Sequence, residues 1–331
     1  MKSNYLVINE SVEPSYNLAL EEYLLLHFTE GRIVMLWQNE NTIVIGRNQN
    51  ALEEIDQDYV RKQGIKVVRR TTGGGAVYHD LGNLNYSFIT DYEKDGGMQE
   101  FTGIVEDALK GLGVNASFSG KNDIFAGGKK ISGMAQRVVG NRVLYHGCLL
   151  FDSDLQKLAN SLHVQADKFQ SKAVKSIKSR VGNLKDFLGE DIGIEKLKDC
   201  LVKEFLKEGE YQLLCPSDLD KNERLIIRKL QNEKYGSWEW NFGNSIKYAV
   251  HNRKKFDGGT VEVYMDIREG RIVKCRIYGD FMSSRPVSDI AEKLVGTRHK
   301  YEEVMEVLTL FRLSDYFGII SAQEAASVIC L

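Results

Sequence analysis

The 331-residue chain has almost no proline, three residues in all. Long polar tracts are missing too, so extended disorder is not expected. Cysteine is sparse and scattered: Cys148, Cys200, Cys215, Cys275 and Cys330, with no C-x-x-C pair. That argues against a zinc ribbon or a disulfide framework. A basic excess is also absent. Lys plus Arg number 44 against 46 Asp plus Glu, giving a net charge of -2, unlike a general nucleic-acid binder. No apolar run approaches a membrane span, and Met1-Lys2-Ser3-Asn4-Tyr5 leads to Glu10 and Glu13 without an apolar core. Neither a signal peptide nor a membrane anchor is expected, and the reading is a cytoplasmic protein. The Walker A pattern occurs nowhere. What remains, 43% hydrophobic and 27% charged residues, is the balance of a globular protein. The length suits one large domain or two.

Apolar periodicity predicts a helix over Asn17 to His27 and an amphipathic helix from Phe101 to Leu112, stopped by Gly113. Ile33 to Trp37, Thr42 to Ile45 and Lys66 to Arg70 read as strands. Two hairpins follow, one turning at Ala126-Gly127-Gly128 and one at Gly140-Asn141. Residues 154–235 are rich in Lys, Glu and Leu and read mainly as helices. A polar, aromatic linker is expected over 241–256. A hairpin then spans Thr260 to Tyr278, and helices cover Ser288 to Leu294, Tyr301 to Phe311 and the tail from Ser321, where Ser321 and Glu324 fit a capping box.

The most informative stretch is Arg69-Arg70-Thr71-Thr72-Gly73-Gly74-Gly75-Ala76-Val77-Tyr78-His79-Asp80. Glycines without Cβ let backbone N–H groups approach an anion. The arginines supply forked donors suited to phosphate or carboxylate. Together they describe a site for a charged, phosphate-bearing ligand; a flexible hairpin with a solvated basic rim is the plainer alternative. Gly111-Leu112-Gly113-Val114-Asn115-Ala116 matches the dinucleotide pattern G-x-G-x-x-A, but it follows a helix and opens none. It reads as a helix C-cap.

Arg69 to Asp80 resembles the R-R-x-x-G-G-G-x-V-x-H-D signature of the lipoate–protein ligases, in the biotin/lipoate ligase superfamily. Asn122-Asp123 and Lys130-Ile131-Ser132-Gly133-Met134-Ala135 are similar to that family's Asn-Asp pair and its K-x-S-G-x-A segment. Ser171 to Ser176 and Ser179-Arg180-Val181-Gly182-Asn183-Leu184 resemble its covering loop, and Ser237 to Gly243 its junction between domains. The resemblance implies an α+β protein. A large catalytic domain with mixed or antiparallel sheets flanked by helices would span 1–245, and a small α+β accessory domain 253–331.

The implied activity has two steps. Lipoate and ATP, brought with Mg²⁺, form lipoyl-AMP; a lysine of a carrier then takes the lipoyl group as an amide. The implied carriers are apo lipoyl domains of 2-oxoacid dehydrogenase E2 subunits and the glycine-cleavage H protein. Lys130 is the expected catalytic residue, a point charge where carboxylate and α-phosphate meet. Lys129, one position earlier in a strand, should face the other way. Arg70 is expected on a phosphate or the acyl carbonyl, and Arg69 in a structural salt bridge. Gly73, Gly74, Gly75, Ala76, Val77 and Tyr78 would wrap the adenylate.

His79 would bond a phosphate or orient the loop, or else lie buried and paired with Asp80. Asn122 would bond adenine or ribose, or serve a turn. Asp123 would hold Mg²⁺, and Gly133 would let the backbone pass close to the ligand or mark an ordinary strand bulge. Trp37, Val44, Val77 and Leu149 could line an apolar acyl slot, plain core packing being the commoner role for any one of them; His146 would abut the site or be a satisfied core histidine. The positive run Lys168, Lys172, Lys175, Lys178 and Arg180 would close over the site. The competing reading is an ATP-independent octanoyl or lipoyl transferase that works through a cysteine thioester. Cys148 is the only cysteine near these motifs, and its apolar strand suggests a buried thiol.

Overall fold

The structure is a computed structural model that describes residues 3–93, 97–119, 122–162, 180–189, 191–242 and 250–330. The chain divides into two compact units. Met1–Val44, Ile55–Val68 and Val77–Ser237 form the first; Ile45–Glu54, Arg69–Ala76 and Trp238–Leu331 form the second. Residues 69–76 of the glycine-rich segment therefore group with the C-terminal residues.

In chain order the strands up to residue 214 are β1 (Asn4–Ile8), β2 (Ile33–Trp37), β3 (Thr42–Ile45), β4 (Lys66–Arg69), β5 (Val77–His79), β6 (Asn83–Asp91), β7 (Ala116–Ser119), β8 (Asp123–Ala126), β9 (Lys129–Val139), β10 (Arg142–Leu150) and β11 (Tyr211–Leu214). Eight of them make one mixed sheet in the order β11-β1-β2-β6-β10-β9-β8-β7, and β4-β3-β5 form a small second sheet. β1 runs parallel to both β2 and β11, whereas the other pairs of the large sheet are antiparallel.

Each predicted hairpin turns on glycine. Gly127 and Gly128 join β8 to β9 with φ of 53° and 78°, and Gly140 has φ of 59° between β9 and β10. Such positive angles match the strand twist and exclude most side chains. The helix Gly97–Gly111 ends as expected. Gly113 has φ of 79°, its N–H bonds Lys110 O, and the Val114 N–H returns to Leu109 O. This is a Schellman C-cap, not a dinucleotide loop.

The two faces of the large sheet differ. Leu84, Tyr86 and Phe88 of β6, with Tyr145 and Leu149 of β10, join the main core, to which Phe101, Val105, Leu197 and Phe205 also belong. Those last four come from the helices Gly97–Gly111 and Ile194–Leu206. Strand alternation sends Asn83, Asn85 and Ser87 to the other face, where Glu21 of the helix Pro14–His27 accepts from Ser87. That helix is buried almost all round because it also packs on Lys221–Leu230 and the π-helical turn Gln231–Tyr235. Its Glu22 receives Arg137, Lys234 and Tyr235. Burial alone would raise the Glu22 carboxyl, but the two cations hold it below the usual range.

In the second unit, β12 (Val250–Phe256), β13 (Gly259–Arg268) and β14 (Arg271–Gly279) form an antiparallel sheet. Its core takes in residues of Ser288–Leu294, Tyr301–Thr309 and Ala322–Ile329. Ser321 and Glu324 make the expected capping box. The linker expected over 241–256 is a strand from residue 250, and 243–249 lie outside the described residues. Asn252, Arg253, Lys254 and Lys255 read as a polar linker because they occupy a charged edge strand. Among the described residues no helix is long and apolar enough to cross a membrane.

Candidate active site

In the first unit the site begins with an irregularity in β9. Asp123 pairs with Gly133 and Ile124 with Ser132, but Phe125 pairs with Lys130, so Ile131 is an extra residue. A bulge of this kind reverses the alternation. Ile131 and Ser132 both turn to the core face; Ile131 is fully buried, and Ser132 meets the Tyr86 hydroxyl at 2.7 Å. Lys130 and Gly133, three positions apart, then share the opposite face.

Lys130 Nζ sits 2.8 Å from Asp123 Oδ1, with Lys130 36% and Asp123 25% exposed. A Cβ on Gly133 would lie 3.0 Å from Lys130 Nζ and 3.1 Å from its Cε. The missing side chain is therefore the space through which the ammonium passes. Lys129 takes the other face, as expected, with its Cδ 2.8 Å from where a Gly182 Cβ would be. Gly182 N–H donates to Lys130 O, and Val181 bridges Lys130, so this end of the covering-loop motif lies directly on the lysine. Arg180 is exposed; Lys168, Lys172, Lys175 and Lys178 lie outside the described residues.

Asn122 is fastened to β9 by Met134 N–H to Asn122 O and Asn122 Nδ2 to Met134 O. The register across the sheet sets Trp37, Asn85, Cys148, Gly133 and Asp123 in one row. Trp37, Asn85 and Cys148 are buried. Beside that row runs a polar chain. Trp37 Nε1 donates to Ser87 Oγ, Ser87 Oγ to Glu21 Oε1, and His146 Nδ1 lies 2.9 Å from the same oxygen.

Leu149 takes the plainer of its two expected roles: it belongs to the core cluster, on the opposite face from this row. The polar chain was missed from the sequence. Its signal was the alternation of Asn83, Asn85 and Ser87 with Leu84, Tyr86 and Phe88. His79 is buried against Asn39 Nδ2, while Asp80 accepts the N–H groups of Gly82 and Asp154 instead of pairing with it. Tyr78 is buried and donates to Asn41 Oδ1; Val77 is half-buried.

In the second unit Arg70 folds the glycine loop around itself. Its Nε donates to Thr72 Oγ1 and its Nη2 to the carbonyls of Gly73 and Gly75. A Cβ on Gly73 would come 2.7 Å from Phe281 O, and Gly74 has φ of 87°. Gly75 is exposed and Ala76 half-buried. Arg69 makes no salt bridge among the described residues. It is fully buried and donates to the carbonyls of Gly46, Arg47, Gln49, Trp240 and Asn241. Its own N–H donates to Asn241 Oδ1. Burial, then the nearby Arg70, lowers the Arg69 guanidinium to about 10.

A mixed sheet carrying a K-x-S-G-x-A lysine, together with an R-R-x-x-G-G-G loop, defines an acyl ligase of the biotin/lipoate type. Residues 13–206 match the family model of the lipoyl protein ligase A/B catalytic domain. Residues 245–329 match that of the bacterial lipoate protein ligase C-terminus. The chain belongs to the lipoate–protein ligase family and is an enzyme of that class. It is 41% identical to lipoate–protein ligase 1 of Staphylococcus aureus over 319 residues, 96% of each chain. It is 38% identical to the lipoate-protein ligase LplJ of Bacillus subtilis, over 96% of this chain and 97% of that one.

Among solved structures, P. falciparum LipL1 in complex with lipoate shares the fold with a TM-score of 0.83 at 24% identity, each chain 99% covered. A lipoate-protein ligase A bound with ATP matches at 30% identity and a TM-score of 0.64, over 73% of this chain and 99% of that one. The bi-partite ligase of Thermoplasma acidophilum, described with its E2 lipoyl domain, matches at 31% and 0.67, over 76% and 100%.

Proposed function

We propose that the chain catalyses ATP-dependent lipoylation in two half-reactions. A lipoate carboxylate oxygen attacks the α-phosphorus of ATP, and pyrophosphate leaves. The amine of a carrier lysine then attacks the acyl carbonyl of lipoyl-AMP, loses a proton as the amide forms, and AMP leaves. The observation that carries this reading is the half-exposed Lys130 ammonium, threaded over Gly133 and fixed by Asp123. A cation held there offsets the charge that gathers as carboxylate meets phosphate. Arg70 and the loop Gly73, Gly74, Gly75 and Ala76, with Val77, Tyr78 and His79, are assigned to the adenylate, and Asn122 to its nucleoside. The row from Gly133 through Cys148 to Asn85 and Trp37 supports an acyl slot lying across the strands.

Mg²⁺ enters as part of the ATP substrate and would take the Asp123 carboxylate. A lone carboxylate fits that role, because Mg²⁺ needs only one or two beside phosphate oxygens and water. Among the described residues no group of three His, Cys, Asp or Glu side chains forms a resident metal site.

The acceptors assigned are apo lipoyl domains of 2-oxoacid dehydrogenase E2 subunits and the glycine-cleavage H protein, in the cytoplasm. The E2 assignment draws on the archaeal relative described with such a domain. Functionally, 1–245 is assigned as the catalytic portion and 253–331 as the accessory one, while 45–54, 69–76 and 238–245 fall in the second compact unit. The test is AMP release on mixing the chain with lipoate, ATP and an apo lipoyl domain. An absolute requirement for ATP supports the reading; lipoyl transfer without ATP refutes it.

A further inference from the structure

The second compact unit encloses a cavity of about 300 Å³ whose lining includes Arg47, Arg69, Arg276, Asn48, Trp240 and Tyr278. Glu292 is the only carboxylate on that lining, so three arginines less one glutamate leave a net charge of +2. Among the described residues neither Arg69 nor Arg276 forms an ion pair. Arg69 is occupied by backbone carbonyls. Arg276 donates to Cys275 O at 3.3 Å, while its Nε is a buried donor without a hydrogen-bond partner among the described residues. Burying guanidinium charge without a carboxylate is costly. Here Arg69 is fully buried, and Arg276 is half-buried with its Nε buried, in the company of an amide and a phenol; such a lining suits negative charge.

We propose that this cavity is a binding site for an oligophosphate anion, with inorganic pyrophosphate its simplest occupant. The net charge selects a multivalent anion over a monocarboxylate. The planar forks of Arg47 and Arg276 match phosphate oxygens, which accept two parallel bonds. The Tyr278 hydroxyl adds a neutral donor, and Asn48 Nδ2, which donates to Ser283 Oγ at 2.7 Å, carries a second N–H. The volume is at the small end of ligand sites, which run roughly 300–1,000 Å³, and suits a compact anion. The site uses none of the residues assigned to lipoate activation, and it does not depend on the ligation reading.

The test is calorimetric titration of the full chain carrying Lys130→Ala, which removes the Lys130 centre as a source of anion binding. Pyrophosphate, orthophosphate and ATP are titrated separately. Pyrophosphate is expected to bind at one site, more tightly than orthophosphate and more weakly as salt rises. Adding Arg276→Met should lower that affinity at least about tenfold, the loss of a charge-assisted pair, with an unchanged far-UV spectrum. Adding Glu292→Gln should raise it several-fold, and this gain carries the test if the Arg276 variant does not fold. A parallel loss for ATP identifies the nucleotide's own phosphates as the source; a loss confined to pyrophosphate identifies the free anion. No pyrophosphate binding, or an affinity indifferent to Arg276 and Glu292 alike, overturns the proposal.

Discussion

Gly133→Ala isolates the geometry of Lys130 from its charge. The added methyl would stand 3.0 Å from Lys130 Nζ and 3.1 Å from Cε, against about 3.5–4.0 Å for comfortable carbon contact. The ammonium must therefore move by roughly half an ångström or more, and it can, because it ends a flexible side chain. A displacement near 1 Å at a reacting group can cost about a hundredfold in rate. Removing the charge outright should cost about 3–4 kcal/mol, a hundredfold or more. Pyrophosphate release with lipoate and ATP should thus fall roughly ten- to a hundredfold in Gly133→Ala, and at least a hundredfold in Lys130→Ala.

Stability should hardly change in Gly133→Ala, since the strand gains roughly 0.5–1 kcal/mol from losing a glycine, against mild crowding. The decisive sample is the double variant. If the methyl acts only through the lysine, Gly133→Ala/Lys130→Ala is no slower than Lys130→Ala alone. Two independent losses that multiply would refute the reasoning, as would normal activity in Gly133→Ala beside a dead Lys130→Ala.

Other outcomes are expected. Cys148→Ser should leave ATP-dependent lipoylation largely unchanged, with mass spectrometry finding no lipoyl group on Cys148 in the parent chain; a folded but inactive Ser variant would favour the thioester route. Arg69→Met strands five carbonyls, three of them in buried hydrogen bonds, and chemical denaturation should show a loss of roughly 3–5 kcal/mol. Glu54 has its carboxyl pushed up to about 7 by burial, then by Glu262 and Asp280. The folded state therefore binds the extra proton, and this contribution to stability is full below the unfolded carboxylate value and lost as pH rises through about 7. Glu54→Gln should flatten the fall in melting temperature between pH 5.5 and pH 8, and an identical slope in both proteins would exclude Glu54 as its origin.

Features governed by local chemistry were legible in the sequence. The glycine pairs at 127–128, the Gly113 cap and the Ser321–Glu324 box each follow from one or two residues whose φ or side chain admits few alternatives. β1 and β11 were not legible. They are five and four residues long and pair in parallel across some two hundred positions, and Tyr211-Gln212-Leu213-Leu214 serves a helix as well as a strand. Within the site, Lys130 was readable from its motif. Its sharing a face with Gly133 was only half legible: a glycine in a strand suggests a bulge, but nothing in Lys-Ile-Ser-Gly places the extra residue at Ile131. Arg69 was misjudged for a related reason. An arginine satisfied by five carbonyls has the same sequence appearance as one paired to a carboxylate.

The extra residue at Ile131 gives β9 a parity. Lys130 and Gly133 share a side only because the count of residues between them and the bulge agree. A residue deleted together with the bulge leaves the two positions two apart in a regular strand and still on one side, and the loss falls on the core, which gives up the fully buried Ile131 side chain. A residue inserted while the single bulge is kept sets them four apart with one reversal and sends the ammonium to the face of Tyr86. The position of the lysine should therefore survive the loss of the extra residue better than the gain of another.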